Sequence, residues 1–290
     1  MHHAAEVRIR PLTRSELDRL MAWAAAEGWN PGRNDGDLFW ATDPEGFLAA
    51  EVDGGFAGGG AIVSYGGAYG FMGLFIVDPL LRGRGIGERL WHARRDRLRA
   101  RLAPGAAIEM DGVFAMQAFY ARGGFAFRHR ELRFEWTAPR GTTAAGPAAI
   151  VPLADVPAAE RHAFDRLHFP AERAAFMDRW ITQPGCVSLG AVRQGRLVGM
   201  TVARPCMKGH KIGPLFAAAP AIAAQLLDAV AAAIPGEVLQ LDVPECNPAA
   251  VALARERGMR EVFGCARMTL GPAPGVAWPC VYGITTFELG

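Results

Sequence analysis

The amino-acid sequence predicts an α/β (or α+β) protein made of two similar domains, and three observations support this prediction. The apolar alternation of strands and the period of amphipathic helices follow one another along the chain. Residues 137–149 lack apolar periodicity and contain Gly and Pro, which is typical of a linker. The length of 290 residues agrees with about two domains. We therefore expect domains at 1–136 and 150–290, joined by the linker 137–149.

The first half begins with a strand, a helix and a hairpin. Thr13 and Glu16 fit a capping box at the start of the amphipathic helix. The turn Asp53-Gly54-Gly55 joins two apolar runs and therefore predicts the hairpin. These elements are expected at residues 7–10 (strand), 13–26 (helix), and 47–52 and 56–64 (hairpin strands).

Strands and helices alternate through the rest of the first half. The uninterrupted apolar run at 69–77 predicts a buried strand, and the pair Gly123-Gly124 predicts the end of the last helix. The expected elements are a strand at 69–77, a helix at 85–102, a strand at 107–111, a helix at 114–122 and a strand at 125–136.

The second half repeats the order of these markers, which indicates a duplicated domain. The interval between the hairpin glycine and the glycine of the next strand is 19 residues from Gly54 to Gly73 and 18 from Gly195 to Gly213. A helix at 221–233 follows the second of these strands. The matching segments of the two halves are 48–58 with 189–199, 72–76 with 212–216, 108–112 with 239–243, and 120–125 with 254–259.

Composition and charge exclude several classes of partner. The 31 Lys and Arg against 29 Asp and Glu leave a net charge of +2, which removes the bulk electrostatic case for a nucleic-acid or membrane-surface partner. No apolar run approaches the roughly 18 residues of a membrane helix, and the first residues lack a signal-peptide core. The five cysteines have no Cys-x-x-Cys or Cys-x-x-His spacing. We therefore expect a cytoplasmic protein without a metal site, and homodimerisation stays open.

The strongest local signal is a glycine-rich loop between an apolar strand and a helix. The strand ends at Val77-Asp78-Pro79, and the loop 82–87 opens the helix. Free amides at a helix N-terminus bind anions, and glycines let a phosphate approach the main chain, so the loop predicts a pyrophosphate site. A Rossmann loop would need glycine where Glu88 stands, and a P-loop would need Gly-Lys-Ser/Thr, so both alternatives fail.

The pattern Arg82-x-x-Gly85-x-Gly87 resembles the acyl-CoA loop of the GNAT N-acetyltransferase superfamily. Tyr120, four residues before Gly124, also fits that family, whereas Val113 stands where the family often has Asn. Markers that look like those of the two-domain YitH-type acetyltransferases extend the resemblance over nearly the whole chain, among them 28–32, 43–47, 213–216, 242–245 and 287–290. The resemblance implies that each half is a mixed, mostly antiparallel sheet flanked by helices.

The resemblance also implies acetyl-CoA as the acyl donor. Ile76 and Val77 would pair with its pantetheine as an added strand would, and the Val77 amide would donate to the thioester oxygen, where charge develops. The arginines of the following helix are expected on a solvated face. The residues expected to hold the pyrophosphate are Arg82, Gly83, Arg84, Gly85, Ile86 and Gly87.

By the same resemblance Tyr120 is the general acid that protonates the leaving thiolate, and the alternative is a core tyrosine. Glu109 and Asp111 lie two apart on one strand and point to the same face. Either carboxylate is a candidate base acting through water, and capping of the next helix is an equal alternative.

Residues of the polar region after the first helix, and polar residues of the second half, are candidates for substrate binding. Turn formation or core packing is the alternative for each. The candidates are Trp29, Asp35, Phe39, Asp43, Arg204 and Arg267. The second half lacks both the loop and the tyrosine, where Ala254 stands, so we expect it to close the substrate cleft or to be a structural or dimerising domain.

These features predict an N-acetyltransferase that acts on a primary amine of a small molecule by direct transfer. All five cysteines lie in the second half, so a thiol nucleophile near the loop is not expected. Two alternatives stay open: a non-catalytic acyl-CoA sensor, and a protein or peptide N-acetyltransferase, which would need an acidic groove.

Overall fold

One sheet of 13 strands runs through both halves of the computed structural model, which describes residues 6–290. Its pairs are antiparallel except for one parallel pair in each half. Helices flank the sheet, so the predicted fold class is confirmed. Among residues 6–290, no helix combines the length and the apolar character that crossing a membrane requires.

The elements of the first half follow the predicted order with one addition. Its strands are β1 (Val7–Pro11), β2 (Phe47–Val52), β3 (Gly55–Tyr65), β4 (Tyr69–Val77), β5 (Ala107–Val113) and β6 (Ala126–Thr137). Its helices are α1 (Arg14–Ala26), α2 (Asp35–Thr42), α3 (Ile86–Ala100) and α4 (Gln117–Arg122).

The second half begins after residues 138–148, which contain neither helix nor strand. Its strands are β7 (Ala149–Pro152), β8 (Val187–Arg193), β9 (Arg196–Pro205), β10 (His210–Ala217), β11 (Val238–Pro244), β12 (Arg260–Leu270) and β13 (Val281–Gly283). Its helices are α5 (Ala158–His168), α6 (Ala174–Trp180), α7 (Pro220–Ala233) and α8 (Pro248–Glu256).

Local signals account for most of these elements. The capping box is confirmed, because the Glu16 amide donates to the Thr13 hydroxyl and the Thr13 amide donates to the Glu16 carboxylate. Helix α2 was not predicted, since it has no side-chain cap and owes its position to tertiary packing of Phe39 on Trp180 of α6. The predicted helix at 114–122 starts as a 3₁₀ turn, and its α-helical part is α4.

The two halves exchange their last strands. Strand β5 pairs with β12 of the second half, with Asp111 opposite Arg267 and Val113 opposite Cys265. Strand β6 pairs with β11, and β6 and β12 pair with each other at the centre of the sheet. The exchange therefore places side chains of the second half beside β5. The domain boundaries at residues 136 and 150 remain predictions from the sequence.

Each half contains a parallel strand pair that separates part of the way along. Strands β4 and β5 pair only from Tyr69 to Phe71, and β10 and β11 only from His210 to Ile212. In the second half, β13 pairs with β10 at Leu215 and Phe216 and fills the opening. In the first half, the corresponding opening between β4 and β5 begins at an irregularity of β4 around Gly73 and Leu74 (φ 47°).

The C-terminal tail, residues 284–290, continues from β13 and is buried along its whole length between the halves. The tail belongs to an apolar core that both halves share and that includes Leu17, Phe71, Trp180, Phe216 and Phe287. The halves are thus joined by one sheet and one core.

Candidate active site

The opening between β4 and β5 contains a cavity of about 460 Å³, within the size range of small-molecule sites. Its walls are β4, β5, α3, α4, the loop after α1, β12 and the C-terminal tail. Residues of both halves therefore line one cavity, because the strand exchange and the tail bring the second half to the first.

The predicted pyrophosphate loop lies at the mouth of this cavity. Gly85 precedes α3 without a side-chain cap, and the first intrahelical bond is donated by Arg89, so the amides at 86–88 remain available to a ligand. Gly83 and Gly85 have φ of 79° and 75°, and a Cβ on either would meet no atom within 4 Å. The space and the donors both fit a phosphate group.

Arg82 is held across the cavity mouth. Its guanidinium pairs with Glu27, and its Nε donates to the Val77 carbonyl oxygen at 3.1 Å. Arg82, Gly83, Ile86 and Gly87 line the cavity, whereas Arg84 and Gly85 are exposed outside it. The main chain of the loop, together with Arg82, supplies the positive end of the site.

Val77 offers its amide to the open side of β4. The Asp78 amide donates to Ala57 of β3 at 2.9 Å, and successive amides of a strand point to opposite sides. The Val77 N–H therefore points away from β3, into the opening, while the Ile76 N–H points back to β3. Ile76 also lines the cavity, but the direction of its N–H leaves only Val77 of this pair in position for the predicted main-chain role.

Tyr120 lines the cavity beside β5, where its ring packs so closely on Gly112 that a Cβ there would overlap it. Burial raises the pKa of Tyr120 to about 12, although the charge of Arg94 opposes the rise. The phenol therefore stays protonated at neutral pH, as a proton donor requires.

The two predicted base candidates differ in position. Asp111 lines the cavity, but Arg267 binds both of its oxygens, at 2.7 and 2.8 Å, and burial raises the pKa of Asp111 to about 7. Glu109 lies behind it, accepting from Tyr69 (2.9 Å), Thr269 (2.7 Å) and Arg267 (3.3 Å), and it does not line the cavity. A role of Glu109 as base is therefore contradicted. The helix-cap alternative is also wrong, since the following turn has no side-chain cap.

Several predicted substrate contacts are contradicted by burial. Asp35 and Arg204 are 0% exposed and pair with each other at 2.9 Å. Phe39 is 0% exposed in the core, and Asp43 is bound by Arg101. None of these four lines the cavity. Arg267 is likewise buried and acts on the cavity only through Asp111. Trp29 does line the cavity.

Arg94 also departs from prediction, because it is buried and not on a solvated face. Its guanidinium donates to the carbonyl oxygens of Gly73, at 2.6 Å, and Ala61. Burial lowers the pKa of Arg94 to about 10. Arg94 on α3 therefore binds the main chain of β4 at the point where the opening between β4 and β5 begins.

Four cavity residues of the second half were not assigned from sequence: Phe263, Cys265, Phe287 and Glu288. The pairing of β5 with β12 brings Cys265 into the cavity wall, although all five cysteines belong to the second half. Burial raises the pKa of Cys265 well above its ordinary value, so it remains a thiol and not a nucleophilic thiolate. The only sequence signal for the tail residues was the family-like ending 287–290.

Both halves match models of one superfamily. Residues 14–125 match the acetyltransferase (GNAT) family, and residues 162–283 match an acetyltransferase (GNAT) domain. The holothin acyltransferase of Pseudoalteromonas sp. (strain SANK 73390) is 24% identical over 282 residues, which cover 97% of this chain and 94% of the relative.

Solved structures share the fold at low sequence identity. A structure described as an acetyltransferase of Pyrococcus horikoshii has a TM-score of 0.83 at 22% identity, with 100% of both chains covered. A GCN5-related N-acetyltransferase of Sphaerobacter thermophilus has a TM-score of 0.67 at 17% identity, covering 97% of this chain and 98% of its own. A tandem GNAT protein from the clavulanic acid biosynthesis pathway has a TM-score of 0.65 at 15% identity, covering 93% and 100%. The protein is an acyltransferase that belongs to the GNAT acetyltransferase superfamily, with one GNAT domain in each half of its chain.

Proposed function

We propose that the protein transfers an acetyl group from acetyl-CoA directly to a primary amine of a small molecule. The observation that supports this best is one continuous cavity with three matched features. The free amides of α3 lie at its mouth, the Val77 N–H points into it, and the Tyr120 phenol lines its wall.

The loop and β4 fit an acyl-CoA thioester. The amides at 86–88 and the Arg82 guanidinium would bind the pyrophosphate, and the Val77 N–H would donate to the thioester oxygen. Acetyl-CoA supplies an electrophilic acyl carbon when bound. A donor aimed at the oxygen where charge develops contributes a factor of about 10² to 10³ in rate.

Tyr120 would give its proton to the departing thiolate. Its raised pKa of about 12 keeps the proton available over the neutral range, and its place in the cavity wall gives it access to bound substrate. The buried thiol of Cys265 makes a covalent acyl-enzyme unfavourable, which supports direct transfer.

A small acceptor is favoured over a protein. The relative from Pseudoalteromonas is named for acyl transfer to holothin and not to a protein. The inner walls of the cavity are buried side chains such as Met110, Tyr120 and Glu288, which leave room for a compact molecule and not for a folded surface.

Free CoA, measured with a thiol reagent during incubation with acetyl-CoA and a panel of amines, tests the proposal. We expect release that depends on an amine, together with an acetylated product found by mass spectrometry. Calorimetric binding of acetyl-CoA without release for any amine would instead identify a sensor. Acetylation of basic peptides alone would identify a protein N-acetyltransferase.

A further inference from the structure

The C-terminal tail fixes Glu288 against β4. The Tyr65 hydroxyl donates to the Leu289 carbonyl oxygen at 2.9 Å, and Arg173 donates to that of Gly290 at 3.2 Å. A Cβ on Gly73 would overlap the Glu288 main chain, so the tail lies directly on β4 where the opening begins. Glu288, which is 4% exposed as a residue, lines the cavity from this fixed position.

Glu288 differs from the other carboxylates that line the cavity. Glu27 is paired with Arg82, and Asp111 is bound through both oxygens by Arg267. Glu88 lies at the mouth with a side chain 67% exposed. The Thr286 hydroxyl donates to one Glu288 oxygen, and no cation within residues 6–290 lies at ion-pair distance from Glu288. It is thus an enclosed carboxylate without a contacting cation.

Four charged or titratable groups act on Glu288 from β6, β9, β10 and β12: Arg133, Arg204, Lys211 and Cys265. Arg133 is bound to Asp242 at 2.6 and 2.9 Å, and Arg204 is bound to Asp35. Lys211 donates to the Trp29 carbonyl oxygen at 3.3 Å. Burial lowers the pKa of Lys211, and the charge of Glu288 opposes this effect without direct contact. A cationic ligand would therefore meet Glu288 without breaking a direct ion pair.

Aromatic rings wall the space next to Glu288. The Arg133 guanidinium lies 5.3 Å from the ring centre of Phe263 and 5.0 Å from that of Phe287, and it also donates to the Trp29 carbonyl oxygen at 2.8 Å. One buried arginine thus contacts two aromatic rings and the main chain of a third aromatic residue. Flat apolar walls beside one carboxylate are complementary to a molecule with an apolar body and an ammonium group.

We propose that this end of the cavity is the acceptor subsite, that it takes a small aromatic amine, and that Glu288 binds the ammonium group and accepts its proton. This inference depends on the proposed acetyl transfer. It assigns the base to the tail of the second half and not to Asp111 or Glu109 on β5.

The proton balance is complete with groups of this chain and water. One N–H proton passes to a Glu288 oxygen, and the freed lone pair attacks the acetyl carbonyl carbon. The C–S bond then breaks and Tyr120 protonates the sulfur. The second N–H proton restores the Tyr120 phenol, and Glu288 releases its proton to solvent. The products are an N-acetylated amine and CoA.

The test compares Glu288→Gln with Glu256→Gln, an exposed control on α8. With 2-phenylethylamine as acceptor, we expect Glu288→Gln to lower kcat/KM at least about 100-fold. Its calorimetric Kd for acetyl-CoA should equal that of the wild type. Wild-type kcat/KM in Glu288→Gln, or a loss of about 100-fold in Asp111→Asn instead, would overturn the assignment.

Ligand binding to the wild type tests the subsite without turnover and without a variant that must fold. We expect 2-phenylethylamine to bind more tightly than 2-phenylethanol, and more tightly than glucosamine, in calorimetry. Equal binding of the amine and the alcohol would refute the role of Glu288. If the wild type releases no CoA with any amine, the acetyl-transfer proposal fails, whereas release with polar amines only refutes the aromatic subsite alone.

Discussion

At the scale of single residues, burial determines the chemistry of the site more than residue type does. Tyr120 keeps its proton because its phenol is removed from water, and Cys265 stays a thiol for the same reason. Tyr120 was predicted as the acid from the family resemblance and Asp111 as a candidate base from its position on a strand, and both line the cavity. The sequence could not distinguish Asp35 and Arg204 from substrate-binding residues, because these two residues pair with each other across 169 positions of the chain.

Tyr120→Phe should lower kcat about 100-fold while the Kd for acetyl-CoA stays unchanged, since the role we propose for the phenol is proton transfer and not binding. Steady-state kinetics and calorimetry measure the two quantities. Tyr282→Phe, a buried tyrosine outside the cavity lining, is the matched control and should keep wild-type turnover. Undiminished turnover in Tyr120→Phe would contradict the acid role.

Glu131→Gln should stabilise the protein at alkaline pH. Burial raises the pKa of Glu131 to about 8 in the folded protein, whereas a glutamate in the unfolded chain has a pKa of about 4. Between these two pH values the folded state keeps a proton that the unfolded state has lost. Glu131 therefore makes the free energy of unfolding fall as the pH rises through this range. We expect the Tm of Glu131→Gln to exceed that of the wild type by a few degrees near pH 8 and to match it near pH 5.

Thermal unfolding at both pH values checks this prediction. Glu256→Gln is the exposed control and should follow the wild type at each pH. An equal Tm of Glu131→Gln and wild type near pH 8 would mean that the Glu131 carboxyl titrates normally.

At the scale of elements, neighbouring residues were enough to predict most helices and strands, whereas contacts between distant residues determine how these elements pack. The apolar run of β4 and the capping box of α1 depend on neighbouring residues and were predicted with their bounds or nearly so. Arg94 was misjudged from its residue type, although its spacing of four residues from both Leu90 and Leu98 puts it on the buried face of α3. Helix α2 was missed because its stability comes from α6 and not from its own sequence.

Gly73→Ala tests the contact between β4 and the C-terminal tail. A Cβ at this position would overlap the main chain of Glu288. Main-chain atoms cannot rotate out of the way as the end of a flexible side chain can. We expect a loss of about 1 to 3 kcal/mol in the free energy of unfolding, measured with urea, together with lower activity. Gly275→Ala, where a Cβ meets no atom within 4 Å, should be neutral in both assays.

At the scale of the whole molecule, the duplication was predicted and the strand exchange was not. Repeated markers reveal two similar halves, but the sequence does not show that β5 pairs with β12 and β6 with β11, because strand pairing depends on residues that are distant in the chain. The exchange explains why the acceptor end of the cavity escaped prediction. Phe263, Cys265, Phe287 and Glu288 reach the first half only through it and through the tail.

A chain that ends at residue 136 should not fold cooperatively. Strand β5 would lose its neighbour β12, and β6 would lose both β11 and β12. We expect no cooperative thermal transition for residues 1–136 alone, and recovery of the transition when residues 137–290 are co-expressed. A sharp transition of the first half alone would show that the strand exchange is dispensable.

The filling of the second opening by β13 has a consequence for stoichiometry. The segment 281–283 hydrogen-bonds to β10 in the place that corresponds to the proposed donor groove of the first half, so within residues 6–290 only the first of these two openings stays unfilled. Calorimetric titration with acetyl-CoA should therefore saturate at one molecule per chain, where two equivalent domains would take up two. We thus expect the duplication to have doubled the scaffold while leaving one donor site.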